Sequence, residues 1–513
     1  MSATREWIRG LPRRHGRRTL IALAAIALVG LLVRAYVVVN PVDEPADDSR
    51  AYFALAKSLY TEGSYGGPEF RDSSDWSPGA PLLYAAAFYV TGGAREGTAR
   101  IVEALCGLGA IFVVYFLGRR LAGAMARGRT RGGPEREGAE DAGGAPETPA
   151  GAGEPGTAFV GLFAAAAVAV YPPFIHSTGE LMSEPPAILT LPAAVLAFLW
   201  AGERERAWYA WLLPGALFGL TAMFRPEYLL VGVAFAILAA LRGASPALVA
   251  QRATSAGSGS GSGPGSGSGG WRRGFVGGMV MLAALVVVIA PWTIRNQVVL
   301  DRTVPISTGG GKALYVGTFL PADGEYQRVK AILVERFEGK QLDPHSRELE
   351  EVNPQPLFDR VANEYKAEHG EPDLPRDSAL GKIGREQLSD YVSEDPLGYL
   401  GMTVRKVGRM WSSGVGEAMS SSLGRAVQIL LVLLGIGGLV LLGLRRRWWE
   451  LAALATPILL VTAVGAASLA APRRNEVLMT LVFPLAALAL FWVASALSSG
   501  RSWRSPQASS PPN

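Results

Sequence analysis

Cysteine is almost missing from this 513-residue chain: Cys106 stands alone inside an apolar run, which excludes an internal disulfide and argues against a cysteine metal cluster or a cysteine nucleophile. Its surroundings suit a small buried hydrophobe. Histidine is scarce too, and the four present, His15, His176, His345 and His369, are too scattered to form a ligand pattern. Charged residues make up only 18% of the chain, apolar residues reach 49%, and mean hydropathy is positive at +0.22. A soluble protein of this length needs more polar surface, so the composition describes a polytopic membrane protein. The net charge of +5 does not imply a nucleic-acid partner, because the basic residues gather at the ends of apolar runs, where they set membrane orientation.

What is present is a series of apolar runs separated by basic or low-complexity loops. Arg5, Arg9, Arg13, Arg14, Arg17 and Arg18 precede the run from Leu20 to Val39, interrupted only by Arg34. The run can span a bilayer, no small-residue cleavage pattern follows it, and its basic flank places the start of the chain in the cytoplasm. The expected organisation is a basic cytoplasmic start over 1–18; a first span, an acidic outer loop with a surface helix and a second span over 19–117; a disordered cytoplasmic linker over 118–157; a transmembrane core over 158–241; a Gly/Ser-rich cytoplasmic loop over 242–273; a span over 274–295; an outer loop with amphipathic helices over 296–424; C-terminal spans over 425–498; and a cytoplasmic tail over 499–513. This is an all-α integral membrane fold of about 10 transmembrane helices, with about 11 to 13 as alternatives, in the plasma (inner) membrane with both termini cytoplasmic. Pro81 to Val90 is too short to cross and reads as a helix on the outer surface; a span there would put Arg119, Arg120 and Arg445 to Arg447 outside. Asp395, followed by Pro396, is expected to cap a helix that carries Lys406 and Arg409 on one face.

In this topology the acidic stretch Asp43, Glu44, Asp47 and Asp48 emerges outside, on the same side as Arg225, Arg295, Lys406, Arg409, Arg473 and Arg474. Such a grouping suits one chemistry, in which a carboxylate deprotonates an acceptor hydroxyl while cations neutralise a departing phosphate. Cations at headgroup depth also suit a lipid-linked phosphate. Plainer roles compete: Asp47 or Asp48 as helix caps, Arg225, Arg295, Lys406 and Arg409 as interfacial anchors, and Tyr52 and Trp411 as aromatic-belt residues.

The order Asp48, Tyr52, Ala56, Leu59, then Ser77-Pro78-Gly79-Ala80-Pro81, Arg100, Ser183-Glu184-Pro185, Arg225-Pro226-Glu227, Pro291-Trp292-Thr293-Ile294-Arg295-Asn296 and Lys406 resembles the GT-C glycosyltransferases, in particular the protein O-mannosyltransferase and lipid A aminoarabinose transferase group. The likeness runs over most of residues 30–480, outside the two low-complexity loops. It implies transfer of a sugar, with inversion, from a polyprenyl-phosphate donor to a cell-envelope lipid, glycan or protein on the outer face. It also implies an aspartate of the first outer loop as base: Asp48 by position, with Asp43, Glu44 and Asp47 as competitors. Lys406, Arg409, Arg225, Arg295, Arg473 and Arg474 would hold the donor phosphate, and Tyr52, Arg71 and Glu184 the acceptor. Arg71 would compensate for the departure of Ser77-Pro78-Gly79-Ala80-Pro81 from the group's arginine-containing motif. No cofactor is called for, and a divalent metal is left open because no ligand cluster is visible in the sequence. A surface-glycan polymerase or ligase is the nearest alternative. A transporter or lipid flippase would be expected to show internal repeats and charges at the bilayer midplane, and neither is evident.

Overall fold

The computed structural model describes residues 16–41, 47–66, 74–126, 154–204, 207–242 and 268–500; Asp43, Glu44, Arg71, both chain ends and most of the two low-complexity loops lie outside these ranges. Among the described residues all regular structure is helical. The long helices are α1 (Arg17–Val39), α4 (Glu96–Ala126), α5 (Glu154–Val170), α7 (Glu184–Glu203), α10 (Ser268–Leu300), α18 (Ser422–Leu444), α19 (Trp448–Ala467) and α20 (Pro472–Gly500). Shorter apolar helices are α3 (Gly79–Thr91), α8 (Leu212–Phe224) and α9 (Tyr228–Leu241); α2 (Asp47–Glu62) and α6 (Pro172–Gly179) flank the site described below. A polar helical segment comprises α11 (Gly310–Thr318), α12 (Tyr326–Glu338), α13 (Arg347–Glu351), α14 (Gln355–His369), α15 (Arg376–Glu394), α16 (Pro396–Ser412) and α17 (Glu417–Ser420).

Among the described residues seven helices are long and apolar enough to cross a membrane, and an eighth candidate is the bent pair α5–α6. The remaining two expected spans are the short helices α8 and α9, separated at Arg225–Glu227, where Arg225 adopts an extended backbone. Several expected boundaries move outward. Helix α4 continues past Leu117 to Ala126, and α10 begins at Ser268 and runs to Leu300. Helices need not stop where their apolar stretch stops: Arg120 in the extension of α4 donates to Leu199 O (2.8 Å) and pairs with Glu203 (3.0 Å). Small residues let α4 and α5 approach closely, since a Cβ on Gly118 would lie 3.0 Å from Val160 O. Ile111, Val168, Leu191, Phe198, Phe218, Phe235 and Phe483 fill the central core. The polar segment has its own core around Val316, Val329, Val334, Phe358, Val361 and Leu380. Asp395 caps α16 by accepting from Gly398 N at 2.9 Å, as the Asp-Pro pair predicts.

The run expected as one span from Ala158 to Ile175 instead bends by 43° between α5 and α6. Proline lacks the N–H that closes a helical turn. Pro172 and Pro173 therefore leave Val168 O and Ala169 O without their helical donors, while the last regular bond is Tyr171 N to Ala167 O at 2.9 Å. Arg34, fully buried in α1, fills the gap: Nη2 donates to Val168 O at 3.0 Å and Nη1 to Ala169 O at 3.1 Å. A buried guanidinium thus supplies the two bonds that two prolines remove. Arg34→Met should destabilise the protein by about 3 kcal/mol or more, since each bond to a charged donor contributes about 1.5–3 kcal/mol. Thermal unfolding in nanodiscs checks this, and adding Pro172→Ala and Pro173→Ala should recover part of the loss.

Candidate active site

The ends of α1, α5, α8, α10 and α19 meet the starts of α4, α7, α9, α18 and α20 at one end of the bundle, together with α2, α3 and the polar segment. Here a chain of alternating charges links four parts of the sequence. Arg473, in the first turn of α20, donates from Nη1 to Asp48 Oδ2 (2.7 Å) and from Nε to Glu184 Oε1 (2.9 Å). Arg225 donates from Nη1 to the same Glu184 oxygen (2.6 Å) and from Nε to Glu227 Oε1 (3.0 Å). Glu184 is 1% exposed at the start of α7, where Pro185 and Pro186 occupy positions whose N–H groups have no helical partner. Buried charges persist only when paired, and here each charge has a partner of opposite sign.

Asp48 is the most accessible carboxylate of the chain. Its side chain remains 39% exposed, and its other oxygen accepts from Trp76 Nε1 at 3.3 Å. It lies within α2 with its carboxylate turned to Arg473 and Trp76. Burial pushes the Asp48 carboxyl up, but Arg473, Lys312 and the Trp76 bond together outweigh it and hold its pKa below the ordinary 3.8. The group is therefore held as an oriented carboxylate.

The other expected residues divide into two sets. Arg473 joins Asp48 directly, and Glu184 and Arg225 join it through Arg473. Arg474 lies within electrostatic reach of Glu227, Arg225 and Lys406, and its Nη1 is buried without a hydrogen-bond partner. Tyr52 is buried one turn after Asp48, packed with Tyr84, Phe88 and Leu181. Three further cations are engaged within the protein. Lys406 is fully buried and donates to Gly317 O (2.7 Å) and Ser468 O (2.9 Å); burial, helped by Arg409 and Arg474, pushes its ammonium down to about 8. Arg409 pairs with Asp323, which also binds Arg405 at 2.8 Å. Arg295 donates to Tyr65 O (2.8 Å) and lies over the Tyr65 and Trp292 rings.

Sequence reasoning passed over several neighbours. Lys312, carried by α11 just after Gly309, Gly310 and Gly311, acts electrostatically on Asp48, and its ammonium lies 5.6 Å over the Phe358 ring. Glu180 pairs with His176 (3.5 Å) and its carbonyl accepts from Ser49, the residue after Asp48. Glu476 is buried with Oε1 unpartnered, within electrostatic reach of Glu184, Arg473 and Arg225. The glycine run before Lys312 was the available signal; nothing comparable marks Glu180 or Glu476. Among the described residues no group of three or more His, Cys, Asp or Glu side chains is placed to hold a metal ion.

No family model matches this sequence, and no curated protein matches it. The fold is similar to solved membrane glycosyltransferases. The apo oligosaccharyltransferase of Archaeoglobus fulgidus is 15% identical, with 94% of this chain and 51% of that one covered and a TM-score of 0.44. The same organism's AglB oligosaccharyltransferase, in complex with an inhibitory peptide and a dolichol-phosphate, is 15% identical with 97% and 52% covered and a TM-score of 0.43. ArnT of Cupriavidus metallidurans, bound to undecaprenyl phosphate, is 15% identical with 94% and 79% covered and a TM-score of 0.34. The chain spans about half the length of the oligosaccharyltransferase. At these scores the likeness carries no argument about activity, which rests on the site itself.

The Arg473 pair makes a prediction about Asp48. With its pKa depressed, Asp48 should stay ionised across neutral and mildly acidic pH and take up a proton only below the ordinary carboxylate range. Arg473→Met removes the chief opposing charge and leaves the burial, so the Asp48 titration should move up. Infrared difference spectra of the carboxyl band, assigned with Asp48→Asn, measure both. A wild-type titration at pH 5–7 would contradict the ion pair.

Proposed function

We propose that this chain is a membrane glycosyltransferase that moves a sugar from a polyprenyl-phosphate donor to a cell-envelope acceptor. The loop-rich end of the bundle faces outward and both termini lie in the cytoplasm of the plasma (inner) membrane, an orientation supported by the basic residues at the opposite end. The single observation that carries the reading is an accessible carboxylate, Asp48, fixed by Arg473 and Trp76 at the end of an apolar bundle and within electrostatic reach of Lys312.

An acceptor hydroxyl at the exposed side of Asp48 donates its hydrogen bond to the carboxylate. As its oxygen bonds to the anomeric carbon, the hydroxyl acidifies, and its proton passes to the carboxylate late in the step. A weakly basic group suffices for such a late transfer. The bond from the anomeric carbon to the phosphate oxygen breaks, and the electron pair leaves with the polyprenyl phosphate. Stabilising that developing charge is a large part of the rate. Arg474, whose buried Nη1 has no hydrogen-bond partner, and Lys312, whose ammonium lies 5.6 Å over the Phe358 ring, are the cations with donors to offer. Arg473, Arg225 and Glu184 hold the frame, while Lys406, Arg409 and Arg295 tie neighbouring segments to it. Tyr52 forms the wall behind Asp48.

Asp48→Asn keeps the side chain's size and can still accept from Trp76, but it cannot take the proton. Transfer of labelled sugar from polyprenyl phosphate in proteoliposomes should fall by about 10²–10⁴-fold, the usual contribution of a positioned base. Thermal unfolding should stay close to that of the native protein. Turnover at the native rate would remove Asp48 from the chemistry.

A further inference from the structure

One of the ties between the polar helical segment and the site lies two residues from the group that orients Asp48. Thr308, in the approach to α11, is bonded to the first loop three times over. Its N–H donates to Ser74 O at 2.7 Å, its hydroxyl donates to Asp75 Oδ1 at 2.6 Å, and the Ser74 and Thr308 hydroxyl oxygens are 3.1 Å apart. Arg376, in the first turn of α15, forms an ion pair with the other oxygen of Asp75. Arg376 is itself braced by Gln355 (2.8 Å) and Asp359 (3.1 Å) on α14. The next residue, Trp76, places its indole N–H on Asp48, and its backbone carbonyl accepts from Tyr65 OH at 3.0 Å. An unbroken series of hydrogen bonds and one peptide link therefore runs from α14 and α15 through Asp75 and Trp76 to the Asp48 carboxylate.

We propose that Asp75 and Arg376 are positioning residues of the transfer reaction: together with Thr308 they form a latch by which the polar segment sets the Trp76 indole and hence the orientation of Asp48. The inference rests on the glycosyltransferase reading. Neither residue touches Asp48, and Arg376 retains about a quarter of its side-chain exposure. The pair is thus a surface ion pair, of little weight for global stability but well placed for geometry. Losing the latch misaligns a base without removing it, and misplacement by about 1 Å can cost about 10²-fold in rate.

The test uses the full chain in proteoliposomes. Asp75→Arg and Arg376→Asp should each lower kcat by about 10- to 100-fold, with the donor KM changed less than about twofold. The charge-swapped double variant should recover most of the loss. Arg336→Gln breaks an exposed pair with Glu364 in the same segment and should leave kcat unchanged. A second readout does not depend on activity. On a Cys106→Ala background, Ser74→Cys with Thr308→Cys should form a disulfide readily, given side-chain oxygens 3.1 Å apart in the native protein. Adding Asp75→Asn should slow its formation, and once closed the disulfide should restore kcat to that variant. Native kcat in both single variants, or a closed disulfide that restores nothing, would overturn the latch. Should no donor be turned over at all, the glycosyltransferase reading fails, while the disulfide rate still decides whether Asp75 holds the segment in place.

Discussion

Asp48, Arg473, Glu184, Arg225 and Glu227 hold one another in a line of alternating charge, and this mutual satisfaction constrains everything at that end of the bundle. A lone buried charge is too costly to persist, so each member fixes the position of the next. The four segments that contribute them, the start of α2, the start of α7, the break between α8 and α9 and the start of α20, have no freedom to separate. The chain ends at Asp48, the carboxylate among them with the most access to solvent. A rigid, charged interior thus presents one oriented carboxylate, the arrangement a preorganised catalytic group requires.

The same principle appears at α5 and α6. A straight span would have carried His176 and Glu180 along a single axis, but Pro172 and Pro173 break it and Arg34 supplies the missing donors. The bend brings the Glu180 carbonyl to Ser49, next to Asp48. Arg34 sits in an otherwise apolar run where a charge is expensive, and its three carbonyl contacts account for its presence there.

Much of the fold was legible from hydropathy alone. Each apolar run became a helix, Asp395 caps α16, and the Arg225–Glu227 break fell where proline and charge interrupt the run. Helix ends were less legible because helices such as α4 extend beyond their apolar stretch on polar contacts that only the fold reveals. In the site, Arg225 and Arg473 were named because guanidinium groups at the ends of apolar runs must pair or serve chemistry, whereas Glu184, and Asp48 among the acidic residues of the first loop, were named by the resemblance. What sequence could not assign was which cations were already engaged. Lys406 and Arg409 share a helix face as the spacing implies, yet carbonyls and Asp323 occupy them. Lys312 and the Asp75–Arg376 pair were missed because their partners lie more than two hundred residues away in sequence.

The central claim is that the bond between sugar and lipid phosphate is broken at this end of the bundle. The most direct measurement is the fate of a doubly labelled polyprenyl-phosphate sugar, with one label on the sugar and another on the lipid, presented to the purified chain in proteoliposomes containing envelope lipids and glycans. The account requires the labels to part, with the sugar appearing on an acceptor and the lipid recovered as polyprenyl phosphate. If both labels cross the bilayer together on an intact lipid, the chain moves its substrate without cleaving it, and the catalytic role of Asp48 is contradicted.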